Sequence, residues 1–188
     1  MGTYTKVSQE FFNELQLDAG VLLKSFNPAS PSALTDSNFI CSTTGGVNPS
    51  AVPSYSDLGE DVDNVPNMTM ELMHLDYWDC KLSFTALSIT EDTIKLALGA
   101  ADITTASHKI TPRATLDEDD FEDEIWWVGD LADGGFAAIC IKNVLSTGGF
   151  SLQTTKNGKG QLAVELTGHT SISAQDEVPM EFYVMAAA

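Results

Sequence analysis

Short stretches of alternating apolar and polar residues, separated by glycine and proline turns, dominate this sequence. Residues 68–72 and 78–84 have the two-residue period of a half-buried β-strand. Residues 136–145, 150–155 and 161–167 are predicted to form an antiparallel meander. The dipeptide Asn157-Gly158 separates the last two segments, and both of its residues tolerate the positive φ angles of a type I′ hairpin turn.

Further strands are predicted on both sides of these segments. They cover residues 39–42, 107–115, 125–128 and 178–185. Asp18-Ala19-Gly20 interrupts the first apolar segment, residues 12–26, which predicts two strands joined by a turn. This succession of short strands places the chain in the mainly-β class.

The period changes once, and this change predicts one α-helix at about residues 90–99. Thr90 is a suitable N-cap, and the acidic residues Glu91 and Asp92 follow it in the first turn, where the helix dipole favours them. Apolar residues then recur with the spacing of a single helical face at Ile94, Ala97, Leu98 and Ala101. Gly99 is expected to end the helix.

A long segment rich in proline, glycine, serine and asparagine, residues 43–65, has few apolar anchors and is predicted to be a loop. Long loops inside a compact domain are often functional, so we expect an assembly loop that becomes ordered against a neighbouring subunit. Residues 1–10 are polar and are predicted to form an N-terminal arm. At 188 residues, the chain is expected to be a single domain, 1–188.

The acidic composition restricts the classes of partner. The chain has 27 acidic and nine basic residues, for a formal net charge of −18. This balance argues against a high-affinity nucleic-acid groove and against an anionic membrane surface, both of which require basic residues. It is compatible with a surface past which DNA slides without adhering. The sequence has no recognisable signal peptide or apolar span, so synthesis in the cytoplasm is expected.

No catalytic, cofactor or metal site is predicted. The three cysteines, Cys41, Cys80 and Cys140, lack the spacing of a zinc site or a disulfide framework and are expected to be buried thiols. The three histidines are isolated. Residues 158–163 match the dinucleotide-binding pattern GxGxxA, but a strand follows them where that pattern requires a helix. Seven of the eight residues 117–124 are acidic, but they lack the ligand spacing of an EF-hand and are expected to form a solvated acidic surface.

The order of the predicted elements resembles that of the major tail tube proteins of long, non-contractile-tailed phages. The resemblance covers most of the chain and includes an N-terminal strand and turn, a long loop after Cys41, a single helix, and a C-terminal half with several short motifs. The corresponding segments are 13–22 (NELQLDAGVL), the loop after Cys41, 90–100, 125–130 ending in VGD, and 166–184 with GH at 168–169 and VPMEF at 178–182.

This resemblance implies a β-sandwich or barrel-like fold and a structural role in the virion tail. Six copies would form a ring, and stacked rings would form a hollow tube through which the genome leaves. The implied partners are other copies of the chain, the tape-measure, tail terminator and distal tail proteins, and DNA in transit. On this hypothesis, residues 1–10 and 43–65 mediate contacts between rings, and the protein is made in the host bacterial cytoplasm.

Other functions remain open at this stage. Trp126 or Trp127 could serve a β-sandwich module that binds carbohydrate or protein; because successive strand residues point to opposite faces, only one of them would line a given surface. Another head-tail or tail-completion protein is a second alternative. A small acidic hydrolase is disfavoured because no nucleophile and base are recognisable.

Overall fold

The chain folds mainly into antiparallel β-strands. A computed structural model describes residues 9–32 and 34–187, so residues 1–8 of the predicted N-terminal arm lie outside the described residues. Strands account for 48% of it and helices for 11%, which confirms the mainly-β class. The strands are β1 (Gln16–Leu23), β2 (Thr43–Asp57), β3 (Met73–Ala86), β4 (Ala101–Thr104), β5 (Lys109–Pro112), β6 (Glu122–Leu131), β7 (Phe136–Ser146), β8 (Ser151–Gln153), β9 (Gln161–Gly168) and β10 (Met180–Met185). The α-helix is α1 (Glu91–Leu98), and short 3₁₀ turns cover Gln9–Phe12, Met70–Leu72, Thr105–Ser107 and Glu118–Asp120.

Eight of these strands form one sheet in the order β1-β6-β7-β9-β3-β2, with β10 paired to β7 and β8 paired to β9. Strands β9 and β10 both pair with the same edge of β7. Strand β10 pairs with residues 136–141, and β9 pairs with residues 144–146. Strands β4 and β5 form a separate hairpin. Although β1 and β2 lie at opposite ends of the strand order, they approach each other, so the sheet curves around its core as expected of a sandwich or barrel.

Strict alternation in β3 and β9 builds the centre of the main core. The buried residues on the inner face of these strands are Cys80, Leu82, Phe84, Ala86, Leu162, Val164 and Leu166. Glu165 lies on the opposite face from Val164 and Leu166, as the two-residue period requires. A smaller cluster covers the other face of β6 and β7, where Trp126 and Cys140 pack with Phe26 and Tyr183. Strands β6 and β7 are therefore covered on both faces.

The helix and both of its predicted ends are confirmed. The Thr90 side chain accepts a hydrogen bond from the Thr93 amide at 3.2 Å, and Thr93 Oγ1 accepts one from the Thr90 amide at 2.7 Å. Gly99 caps the other end with a φ of 71°. Ala97 is fully buried and joins the main core, so the helix packs against the inner face of the sheet.

The predicted loop at residues 43–65 is wrong over most of its length. Residues 43–57 form β2, which pairs with β3 throughout. The misleading features are Pro49 and Pro53, which lack an amide hydrogen. They are tolerated because β2 is an edge strand, where an amide that faces away from the sheet needs no partner strand.

The first apolar segment also differs from its prediction. It forms one strand, β1, whose pairing with β6 shifts register between Leu17 and Val21. Asp18 and Gly20 adopt positive φ angles of 58° and 68°, which accommodates the irregularity without reversing the chain. Trp127 Nε1 donates a hydrogen bond to the Ala19 carbonyl at 2.9 Å and anchors this bulge.

Several boundaries differ as well. Residues 70–72, predicted as strand, form a 3₁₀ turn, and residues 39–42 contribute only an isolated bridge to β1. The predicted strand at 107–115 is reduced to β5. The β8–β9 hairpin is confirmed, but only Asn157 of its dipeptide has a positive φ, so its connection is not the predicted type I′ turn. Strands β7, β8 and β9 do not form a simple meander, because β7 and β8 both pair with β9.

We expect Thr90→Ala to lower the free energy of unfolding by about 1 kcal/mol, because the first turn of α1 loses its side-chain cap. Urea unfolding followed by circular dichroism measures this loss. Thr115→Ala is the control, since Thr115 is exposed in the segment between β5 and β6. Equal effects of the two substitutions would contradict a stabilising role for the cap.

Candidate assembly surface

Half of the β2–β3 pair has no third strand hydrogen-bonded to it in the described part of the chain. Strand β9 pairs with β3 only between Lys81 and Ala86, whereas β2 pairs with β3 from Met73 onward. Residues 51–79, called the ribbon below, therefore form a two-stranded extension. Ala51 and Trp78 still pack on the main core, so the base of the ribbon is fixed to the body of the protein.

The connection at the far end of the ribbon, residues 58–72, has a defined conformation. Asp57 accepts hydrogen bonds from the amides of Gly59 and Met68, at 2.8 and 2.7 Å. The Leu58 amide donates to the Leu72 carbonyl at 2.9 Å. These contacts fold the connection back on itself, so this part of the predicted assembly loop is a structured tip.

The ribbon exposes an unusual number of large apolar side chains. They are between 42% and 79% exposed and comprise Val52, Tyr55, Leu58, Val62, Met68, Met70, Leu75 and Tyr77. Single exposed apolar residues are normal in soluble proteins, but several on one element are typical of a contact surface. The ribbon is therefore the strongest candidate for an interaction site.

The ribbon is also strongly acidic. Between Asp57 and Asp79 the sequence has seven acidic residues and neither lysine nor arginine. A partner for this element must satisfy both its apolar side chains and its negative charge.

Unpaired strand edges provide a second kind of contact. Strand β2 is 15 residues long. Among the described residues it pairs with β3 alone, and β10 pairs with β7 alone. Phe182 and Val184 on β10 are 61% and 75% exposed. Free edges with exposed apolar residues can pair with strands of another chain.

The acidic run at 117–124 is held by the only arginine in the sequence. The Arg113 guanidinium contacts the carboxylates of Asp117 and Asp120, and its Nε lies 3.3 Å from Asp102. The Asp120 side chain is only 2% exposed. Most of the run is solvated, as predicted, but Asp120 is a buried member of an ion-pair network.

The candidate ligand-binding residues do not converge. Trp126 and Trp127 are 4% and 9% exposed and pack into clusters on opposite faces of the sheet, so neither offers a flat platform to a sugar. Within residues 9–32 and 34–187, no three acidic, histidine or cysteine side chains are grouped to hold a metal ion. No helix in this part of the chain has the length and apolar character to cross a membrane.

The three cysteines are free and buried, as predicted. Burial raises the pKa of the Cys41 thiol to about 11. Burial, together with the nearby Glu124 and Glu181 carboxylates, raises the pKa of Cys140 to about 12. The reactive thiolate form is therefore scarce at neutral pH.

Comparison with known proteins adds no assignment: no family model matches the chain, and no match was found among curated proteins.

We expect the native protein to react negligibly with a thiol reagent at pH 8, and the urea-unfolded protein to react at all three cysteines. Burial blocks access of the reagent to the sulfur atoms, and the raised pKa values of Cys41 and Cys140 keep the fraction of reactive thiolate low. Absorbance during reaction with Ellman's reagent measures the number of modified thiols. Ser107→Cys, at an exposed position, provides the positive control. Rapid modification of a native cysteine would contradict this account.

We expect Arg113→Met to destabilise the protein much more than Lys24→Met. The first change leaves the buried Asp120 carboxylate without its partner, whereas Asp92, the partner of Lys24, is 71% exposed and remains hydrated. Midpoints of urea unfolding compare the two variants. Similar midpoints would show that the Arg113 network does not stabilise the fold.

Proposed function

We propose that this protein is a structural subunit of a tubular assembly, the tail tube of a long, non-contractile-tailed phage. The observation that carries the proposal is the ribbon, an ordered element with exposed apolar side chains that the described part of its own chain leaves uncovered. A subunit that functions alone has no evident use for such an element. The order of the N-terminal strand, the single helix and the C-terminal strands that suggested the family supports the same proposal.

Ring formation would use the free sheet edges. A contact between the β2 edge of one copy and a different edge of the next is heterologous, and such contacts close into a ring when the rotation between copies permits. Pairing would also cover a 15-residue edge that is otherwise open to uncontrolled association. We propose rings of six copies, as in the family that the sequence resembles.

Charge suits such a ring to the passage of DNA. Six copies carry six times −18, or −108, formal charges. Lysine is scarce, so phosphates would meet few sites to which they could adhere. Within the virion tail, the remaining partners would be the tape-measure, tail terminator and distal tail proteins.

We expect concentrated wild-type protein to form rings or tubes visible by negative-stain electron microscopy. Replacing residues 58–71 by Asn-Gly should remove the tip and prevent tube formation, while circular dichroism still shows a folded β-protein. A deletion that extended into β2 would be a poorer test, because it would remove residues such as Val47 and Ala51 that pack against the main core.

The matched control replaces residues 105–108, between β4 and β5, by Asn-Gly. This change shortens an exposed connection of a separate hairpin and should leave tube formation intact. Wild-type protein that stays monomeric at high concentration, or a tip deletion that forms normal tubes, would refute the proposal. Rings that never stack would instead favour a tail-completion protein.

A further inference from the structure

The acidic residues are unevenly distributed along the chain. No aspartate or glutamate occurs in the 31 residues 134–164, a segment that contains Lys142, Lys156 and Lys159. Lys156 and Lys159 lie within the connection of the β8–β9 hairpin, and both are exposed. In the described part of the chain, neither has a carboxylate within 4 Å, whereas Lys142 contacts Glu177 and Glu181. The hairpin connection is therefore an uncompensated positive site on a strongly negative protein.

This positive site and the acidic tip of the ribbon lie at opposite ends of β3. The register pairs Ala86, at the C-terminal end of β3, with Leu162, close to the hairpin connection. The tip lies beyond Met73, at the N-terminal end of the same strand. Because β3 has 14 residues, these ends are roughly 45 Å apart. An acidic patch and a basic patch are thus separated along the direction of the longest strands.

Each end combines its charge with exposed apolar side chains. The tip patch consists of Leu58, Met68 and Met70, which are 62–79% exposed, with the acidic residues Glu60, Asp61 and Asp63. The hairpin patch consists of Ile89, Phe150 and Leu152, which are 38–47% exposed, with Lys156 and Lys159.

Two side chains of the hairpin patch lie next to Gly160. A Cβ built on Gly160 would lie 3.5 Å from Ile89 Cδ1 and 3.7 Å from Leu152 Cδ1. The absence of a side chain at Gly160 leaves room between them.

We propose that the tip patch of one copy docks on the hairpin patch of a second copy, in a head-to-tail contact along β3. The occupant is another copy of this chain because the two patches match in both charge and apolar character. Two tips meeting each other would oppose acidic residues, and two hairpins would oppose lysines, so both alternatives are repelled. Given the tube proposed above, on which this inference rests, this contact joins one ring to the next.

The contact fixes direction as well as association. It uses different surfaces on the two copies and leaves each of those surfaces free at one end, so it extends without closing. Exposed ion pairs contribute little affinity individually, which assigns most of the binding free energy to the apolar side chains and the choice of orientation to the charges.

Charge reversal tests the contact directly. Variant A, Lys156→Glu with Lys159→Glu, makes the hairpin patch acidic, and variant B, Glu60→Lys with Asp61→Lys and Asp63→Lys, makes the tip patch basic. Each variant alone should remain folded and form no tubes at low ionic strength. An equimolar mixture should form tubes, because each copy then meets a neighbour of opposite charge. Electron microscopy and sedimentation velocity measure assembly, and circular dichroism measures folding.

A matched control separates local charge from net charge. Lys156→Gln with Lys159→Gln and the single change Lys109→Glu each lower the net charge by two. Only the first should shorten the tubes.

The outcomes distinguish this inference from the proposed function. If variant A or variant B alone forms tubes as long as those of the wild type, the inference is overturned and the tube proposal stands. If both variants fail alone and the folded mixture also fails, these patches are not partners. If the wild type never assembles, the tube proposal itself fails.

Discussion

The pairing of β2 with β3 is the interaction on which the rest of the structure depends. Strand β2 has no other partner strand within residues 9–32 and 34–187, so this ladder holds 15 residues that contain two prolines and several small polar side chains. Strand β3 in turn supplies Cys80, Leu82, Phe84 and Ala86 to the main core. The same ladder continues past β9 and becomes the ribbon. One run of backbone hydrogen bonds therefore joins the core of the protein to its most exposed element.

Electrostatics gives this framework a direction. Carboxylates outnumber basic groups three to one, and most of them are simply solvated. Where a carboxylate is buried, at Asp120, the only arginine compensates it. Elsewhere the acidic ribbon and the acid-free segment that contains the β8–β9 hairpin lie apart. Because β3 runs between them, the acidic ribbon tip and the basic hairpin connection are separated by about the length of this strand.

The elements that the sequence predicted well are those whose signal is local. Helix α1 was predicted with both ends because Thr90, the apolar spacing and Gly99 each act within a few residues. The alternation in β9 was equally clear, and it placed Glu165 correctly on the outer face. The burial of the cysteines also followed from their type and spacing.

The elements that were missed depend on distant partners. Residues 43–57 were predicted to be a loop, because an edge strand needs neither an apolar face nor an amide hydrogen at every position. The pairing with β3 is what makes this segment a strand. Residues 18–20 were predicted to form a turn. They form a bulge in β1, which is stabilised by pairing with β6 on both sides and by the hydrogen bond from the Trp127 indole. The tip patch and the hairpin patch could not be derived from sequence, since their relation depends on the register that joins β3 to β2 and β9.

By itself, the sequence determined the mainly-β class, the helix, the inert cysteines and the strong negative charge, because these follow from residue type and short-range periodicity. Only the tertiary structure decided that residues 43–57 form a strand, that Trp126 and Trp127 are both buried, and that acidic and basic segments lie near opposite ends of one strand. Strand pairing joins residues that are far apart along the chain. A period of two residues indicates which face a side chain takes, but it does not indicate which strand lies beside it.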